Sequence, residues 1–347
     1  MLLPFRRNEP IAPGIGLPPR DRAIALAAIL MNVAMANLDS AIANTALPTM
    51  ARDLGATEAE SIWVISAYQI AMIATVLPAA ALGEIVGLRR VTMVGLVFFT
   101  LSSLVCGLAP SLEALVVARV LQGISAACIL GLSVAMMRVV YPTALVGRGM
   151  GLNALVVGLS FAAGPSVASV ILSFASWHWL FLVNVPVGLL GIAMGLHSLP
   201  PTIRGGWRYD IGAALLCAVT LGGLVYTLNA AARDTAPVVT LTALGVTAAA
   251  FVLLLRRQAG SPAPVLALDL LRQPIIALSA SASYLTLVTQ ALAYVALPFL
   301  LQERHGFSQI ETGFLITSGR CWWRWPPRFP GACPTVFRRA RWAGWGC

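Results

Sequence analysis

From residue 23 onward the chain alternates long apolar runs with short polar, proline- and glycine-containing stretches. A helix crossing the hydrocarbon core of a bilayer needs about 20 mostly apolar residues. Nine runs meet that demand: 23–47, 61–82, 91–109, 112–137, 149–172, 179–199, 210–231, 237–255 and 274–301. A tenth begins near Ser308 and stops abruptly. Lipid offers no partner to a free backbone N–H or C=O, so the runs are expected to be helices. The predicted class is an all-α polytopic membrane protein. Residues 1–22 carry Arg6, Arg7, Arg20 and Arg22 among five prolines and predict an extended basic arm without a cleavable signal peptide, the first span itself directing insertion.

Composition agrees with that pattern. Hydrophobic residues make up 59% of the 347 and charged residues only 10%, too little polar surface to coat a water-soluble globule. All 23 basic residues are arginine, and they sort by loop. One side of the membrane holds the arm plus Arg89, Arg90, Arg138, Arg148, Arg204, Arg208, Arg256, Arg257 and Arg272; the other holds Arg52, Arg233 and Arg304. The excess places the N-terminus in the cytoplasm. The net charge of +10 does not point to nucleic acid, because residues 1–319 carry 17 arginines against 13 acids, and six more arginines crowd the segment beyond. Six cysteines without a Cys-x-x-Cys and three scattered histidines predict neither a disulfide framework nor a metal site. No nucleophile elbow, phosphate loop or zinc spacing predicts an enzyme.

Two ionisable side chains lie well inside spans: Asp39 in the first and Arg119 in the fourth. A charge in hydrocarbon costs several kcal/mol, so both are expected to face protein or a wet cavity. Asp39 lies about 12 Å inside the end of its span at 1.5 Å per residue, and Asn32, Ala36 and Ala43 share its helical face. Two readings follow. The pair could simply be a buried ion pair that holds the bundle together. Alternatively, Asp39 gains and loses a proton in a hydrated vestibule between helices, burial opposing its charge and a movable cation favouring it. Glu303 and Arg304 predict an interfacial anchor, while Tyr68, Gln69, Tyr284, Gln290 and Tyr294 are expected to serve helix contacts and receive no site role.

Five segments, in order, resemble the drug:proton antiporters with fourteen spans in the major facilitator superfamily. LDSAIANTALP at 38–48 is similar to the first-span signature and puts Asp39 at the coupling acid. LGEIVGLRR at 82–90 resembles the loop between spans two and three, with Gly83, Glu84, Gly87, Arg89 and Arg90 as a conformational latch; Glu84 replaces the usual Asp and Ala80 a common Gly. VARVLQGISAA at 117–127 is similar to the fourth-span motif, with Arg119 as the buried arginine and Gln122 one turn on. GLSFAAGPSV at 158–167 resembles the antiporter motif, in which Gly158, Gly164 and Pro165 give a kink and close packing; Ala168-Ser169 stands where a Gly pair is usual. WHWLFLVNVPVG at 177–188 looks like the start of span six.

The resemblance implies a major facilitator fold: an N-terminal six-helix bundle at 23–200, an extra two-helix hairpin at 201–255, a cytoplasmic linker at 256–273 and the start of a second bundle at 274–319. It implies alternating access about a midplane cavity and export of hydrophobic, often cationic drugs across the bacterial inner membrane. The proton gradient would drive export without a cofactor. The partners so implied are a drug-like substrate, protons and lipid; the sequence names no periplasmic adaptor.

Residues 320–347 break the pattern, with six Arg, five Trp, four Pro and three Cys but no Leu, Ile, Met, Asp or Glu. If arginine codons are of the CGN type, joining the last base of each codon to the next two turns Cys321-Trp322 into Leu, Trp322-Trp323 into Val, and Trp323-Arg324 and Trp325-Pro326 into Ala. The expectation is a reading frame lost between about Ile316 and Arg320, leaving a transport-incompetent fragment of a longer transporter.

Overall fold

Proline, glycine and small residues decide where these helices start and how closely they approach. The computed structural model describes residues 14–202, 209–232, 237–259, 265–266 and 272–299, with backbone alone at 58, 232, 287 and 290–299. Among these residues the elements are α1 (Pro19–Asp53), α2 (Glu58–Ser61), α3 (Trp63–Val86), α4 (Leu88–Gly107) and α5 (Leu112–Val140), then a 3-10 turn (Thr143–Leu145) and α6 (Val146–Phe174). The series continues with α7 (His178–Leu182), α8 (Asn184–Ser198), α9 (Ile211–Ala232), α10 (Pro237–Gln258) and α11 (Pro274–Phe299). Eight helical stretches have the length and apolarity to cross a bilayer. The first eight expected spans coincide with these, and the apolar α11 occupies the ninth.

The ends differ from the sequence expectation. Pro19 stands in the first turn of α1, where its preset φ suits a helix and its missing N–H costs nothing, so α1 begins inside the expected arm. Just before it, Leu17 is buried and its N–H donates to the Val140 carbonyl (2.9 Å), while the Thr143 N–H donates to Gly14 (3.1 Å). Gly16 has φ +71°, and a Cβ there would meet the backbone of Pro142. Arg22 lies over the Tyr141 ring, 5.4 Å from its centroid. Residues 14–22 are therefore clipped to the α5–α6 connection instead of forming an extended arm; Arg6 and Arg7 lie outside the described residues. Span six is interrupted at Val183. Pro186 has no N–H for the Leu182 carbonyl and crowds it, which separates α7 from α8.

α1 packs on α5, α6 and α8; α3 and α4 both pack on α5, and α4 also on α8. The buried side of α1 is built from Ala25, Ala28, Ala36, Ala43 and Ala46, small enough for neighbouring backbones to come close. The outer faces carry exposed Phe98, Leu101, Leu155, Leu159 and Leu241. α9 docks on α3 through Gly222 against Ala74, and Trp63 stacks on Tyr226 with centroids 6.1 Å apart. The Tyr209 hydroxyl donates to the Pro78 carbonyl (3.2 Å).

Asp210 and Arg257 close the α9–α10 hairpin (2.9 Å). The hydrogen bonds from Arg257, chiefly, hold the Asp210 carboxyl below its usual range. α10 runs to Gln258, past the expected hairpin end at 255, with Arg256 and Arg257 in its last turn beside the carbonyl end of the dipole. By packing, the chain divides into residues 1–284 and 285–347. The tail at 320–347 lies outside the described residues.

Candidate functional site

Asp39 and Arg119 meet at the centre of the six-helix bundle. Arg119 Nη1 donates to Asp39 Oδ2 (2.5 Å) and to Gln122 Oε1 (2.6 Å), and Nε donates to the Val64 carbonyl (3.1 Å). Gln122 Nε2 donates to Asp39 Oδ1 (3.0 Å) and to Ser103 Oγ (2.8 Å). Asn184 Nδ2 donates to Asp39 Oδ1 (2.6 Å). The network joins α1, α3, α4, α5 and α8. The amide orientations follow from the chemistry: a carboxylate only accepts and a guanidinium only donates, so each amide must turn its NH2 to Asp39 and Gln122 its oxygen to Arg119.

Aromatic rings close the guanidinium off. The Tyr68 ring lies 4.1 Å and the Phe181 ring 5.6 Å from the guanidinium carbon, and Tyr68 is held by its own hydroxyl donating to the Ala36 carbonyl (3.3 Å). Arg119 Nη2 has no hydrogen-bond partner among the described residues; a cation is stabilised there by the π faces. Asp39 is 1% exposed, Arg119 and Gln122 0%. The pair is thus enclosed by side chains, which differs from the vestibule expected from sequence. The reason is local: small residues on α1 let α5 and α8 come close enough for their side chains to satisfy the carboxylate directly. A cleft of about 450 Å³ lies at the far end of α1, lined by Thr49, Arg52, Asp53, Leu172 and Trp177, about 15 Å along the helix from Asp39.

The latch residues sit at the α3–α4 junction. Gly87 has φ +112°, a backbone that L side chains rarely adopt, and both ends α3 and begins α4. Gly83 is buried against Leu132 of α5. Arg89 donates to the Leu196 carbonyl at the end of α8 (2.6 Å), and the Leu88 N–H donates to Thr202 Oγ1 (2.9 Å). The loop therefore ties the α3–α4 turn to the end of span six. Glu84 and Arg90 are exposed, and among the described residues no ion pair joins Glu84 to Arg89 or Arg90.

In α6, Gly164 lies against Ala41 of α1, so that a Cβ would collide with Ala41. Gly158 has open space around it. α6 is continuous through Pro165.

Sequence reasoning does not mark Asn184 or Ser103, and it gives Tyr68 a helix-contact role only. For Asn184 a signal existed, because it is a polar side chain among apolar neighbours in FLVNVPVG. Nothing local marked Ser103, and Tyr68 reads equally well as a helix contact. Gln69 and Tyr284 are exposed, and the side chains of Gln290 and Tyr294 and all of Glu303 and Arg304 lie outside the described residues.

Residues 29–320 match the family model of the Major Facilitator Superfamily. YebQ of Escherichia coli (strain K12), an uncharacterized transporter, is 44% identical over 87% of the chain. MdtD of Salmonella typhimurium (strain LT2), named for multidrug resistance, is 32% identical over 81%. The chain spans 66% of the length of YebQ and 60% of that of MdtD. The crystal structure of the human organic anion transporter MFSD10 shares the fold at a TM-score of 0.55 and 16% identity, over 86% of this chain and 70% of that one. With the helical bundle and its apolar spans, these matches identify the chain as a multi-span membrane protein that belongs to the major facilitator superfamily.

Proposed function

We propose that the chain derives from a fourteen-span drug:proton antiporter that exports small hydrophobic, often cationic compounds across the bacterial inner membrane by alternating access, its N-terminus in the cytoplasm. Asp39 carries the proton and Arg119 is its movable counter-charge. The observation that carries this reading is the enclosed Asp39–Arg119 pair. A buried ion pair contributes little net stability compared with apolar side chains of the same volume, so holding the bundle together does not require one. A carboxylate that is either paired with a cation or neutralised by a proton is what coupling requires: protonation frees Arg119, and release of the proton restores the pair. The Gly83–Arg90 latch and the Gly164–Ala41 contact would hold the bundle rigid while it rocks. The drug class rests on the resemblance to MdtD.

A second reading concerns the 347 residues taken alone: expressed as such, the chain transports nothing, because residues 320–347 break the apolar pattern of the spans before them. One experiment tests both. Cells stripped of their own exporters receive either the 347-residue chain or a version continued in the neighbouring frame from codon 316, and ethidium efflux is followed. Efflux from the continued version alone supports both readings. Efflux from the short chain overturns the second, and efflux from neither overturns the first.

A further inference from the structure

We propose that Asn184 is a positioning residue for proton exchange: its carboxamide donates to Asp39 beside Arg119, and movement of span six sets when Asp39 takes up its proton. The inference rests on the coupling role proposed for Asp39.

Three donors reach the carboxylate, and they are not equivalent. Arg119 and Gln122 both belong to α5 and are bonded to each other, and Gln122 is tied further to Ser103 of α4. They approach or leave Asp39 together. Asn184 is the donor that comes from another helix, and its 2.6 Å bond is shorter than the 3.0 Å bond from Gln122. It stands at the first position of α8, directly after the interruption at Val183 that Pro186 imposes. A break at that point lets α8 shift against α7 without unwinding α5. Glycines set the seating of α8: Gly188 meets Thr100 of α4, Gly191 meets Asn32 of α1, and Gly195 meets Met93 of α4. The far end of α8 accepts the Arg89 hydrogen bond, so a movement of the α3–α4 loop is transmitted along α8 to Asn184.

The charge balance is simple. In the ionised state Asn184 donates N–H to Asp39 Oδ1. When a proton from the aqueous phase adds to that oxygen, the new O–H needs an acceptor. Gln122 Oε1 is occupied by Arg119, whereas the Asn184 amide can rotate half a turn and offer its oxygen. The titratable or charged groups facing Asp39 are Arg119 from α5, Tyr68 from α3 and, through Gln122, Cys106 from α4. The buried residues of α6 are Gly149, Ser160, Gly164 and Ala168, none of which titrates. Removing the Asn184 donor therefore changes the proton affinity of Asp39 without removing a charge.

The test is an infrared titration of the carboxylic C=O stretch in the purified 347-residue chain in lipid nanodiscs, with the Asp39→Asn spectrum subtracted to isolate Asp39. Asn184→Leu keeps the volume and removes the donor, and Asn184→Gln keeps the donor at the cost of one more methylene. A hydrogen bond to a charged group makes Asn184→Leu half-protonate at a proton concentration on the order of tenfold to a hundredfold lower than in the parent, while Asn184→Gln regains most of that shift. Coincident parent and Asn184→Leu titrations overturn the proposal and leave the role of Asp39 standing. A shift in Asn184→Gln as large as in Asn184→Leu overturns it in favour of packing. Absence of any Asp39 titration in the parent overturns both the proposal and the coupling role. Where Asn184→Leu does not accumulate in the membrane, Asn184→Ala is read by the same criteria.

Discussion

Truncating Arg119 should cost more than neutralising Asp39. Arg119→Leu leaves the carboxylate buried with two amide donors and no counter-charge, and breaking a buried pair from one side costs about 3–5 kcal/mol. An upper bound comes from protonation: giving an ordinary carboxyl a proton at neutral pH costs about 4 kcal/mol, so beyond that the variant neutralises Asp39 instead. Asp39→Asn leaves Arg119 with the Val64 carbonyl, the Gln122 oxygen, two aromatic faces and the new amide oxygen. Its loss is one charge-assisted hydrogen bond, about 1.5–3 kcal/mol. In the double variant no charge remains unpaired, so it should recover most of the Arg119→Leu loss. Because a neutral acid needs no counter-ion, the Arg119→Leu deficit should also shrink as the pH falls. Buried Cys106 and Cys217 report unfolding in an SDS titration through a thiol-reactive fluorophore, with Cys128, Cys321, Cys333 and Cys347 replaced by Ser. Equal losses from the two single variants, or a double variant that costs their sum, would refute the reasoning.

The same assay separates the two glycines of α6. Gly164→Val drives side-chain atoms into Ala41 and should destabilise by about 1–3 kcal/mol, whereas Gly158→Ala meets open space and should lie within about 1 kcal/mol of the parent. The Asp210–Arg257 contact closing α9 and α10 should respond to acid. Arg257 holds the Asp210 carboxyl below its usual range, so the contribution is complete above the ordinary carboxylate range and fades as pH falls through the lowered value. The SDS titration midpoint should therefore fall at acid pH, and Asp210→Asn should remove that part of the fall. Sequencing the gene past codon 316 should reveal an open continuation of four or five apolar spans in the neighbouring frame; stop codons in that frame would remove the fragment reading.

The spans were legible because lipid forces a long apolar run to be a helix, so runs such as 112–137 and 237–255 carry their own assignment. The pairing of Asp39 with Arg119 was legible for the same reason, since neither charge is tolerable alone in hydrocarbon. Two things were hidden. The clip of Leu17 to Val140 and of Gly14 to Thr143 depends on backbone pairing across more than a hundred residues, which no local pattern encodes. The enclosure of the pair depends on how closely α5 and α8 approach α1, and that follows from alanines and glycines whose partners are known only once the helices pack. Asn184 shows the limit: its polarity among apolar neighbours is visible, but its aim at Asp39 is a tertiary fact.

In the proposed transport cycle a proton on Asp39 is exchanged for cargo. The most direct measurement is dye movement in proteoliposomes containing the frame-continued chain under an imposed pH difference, with Asp39→Asn as the comparison. Dye accumulation driven by the pH difference is expected in the parent and none in Asp39→Asn, which remains folded. Accumulation of the same size in both would contradict it.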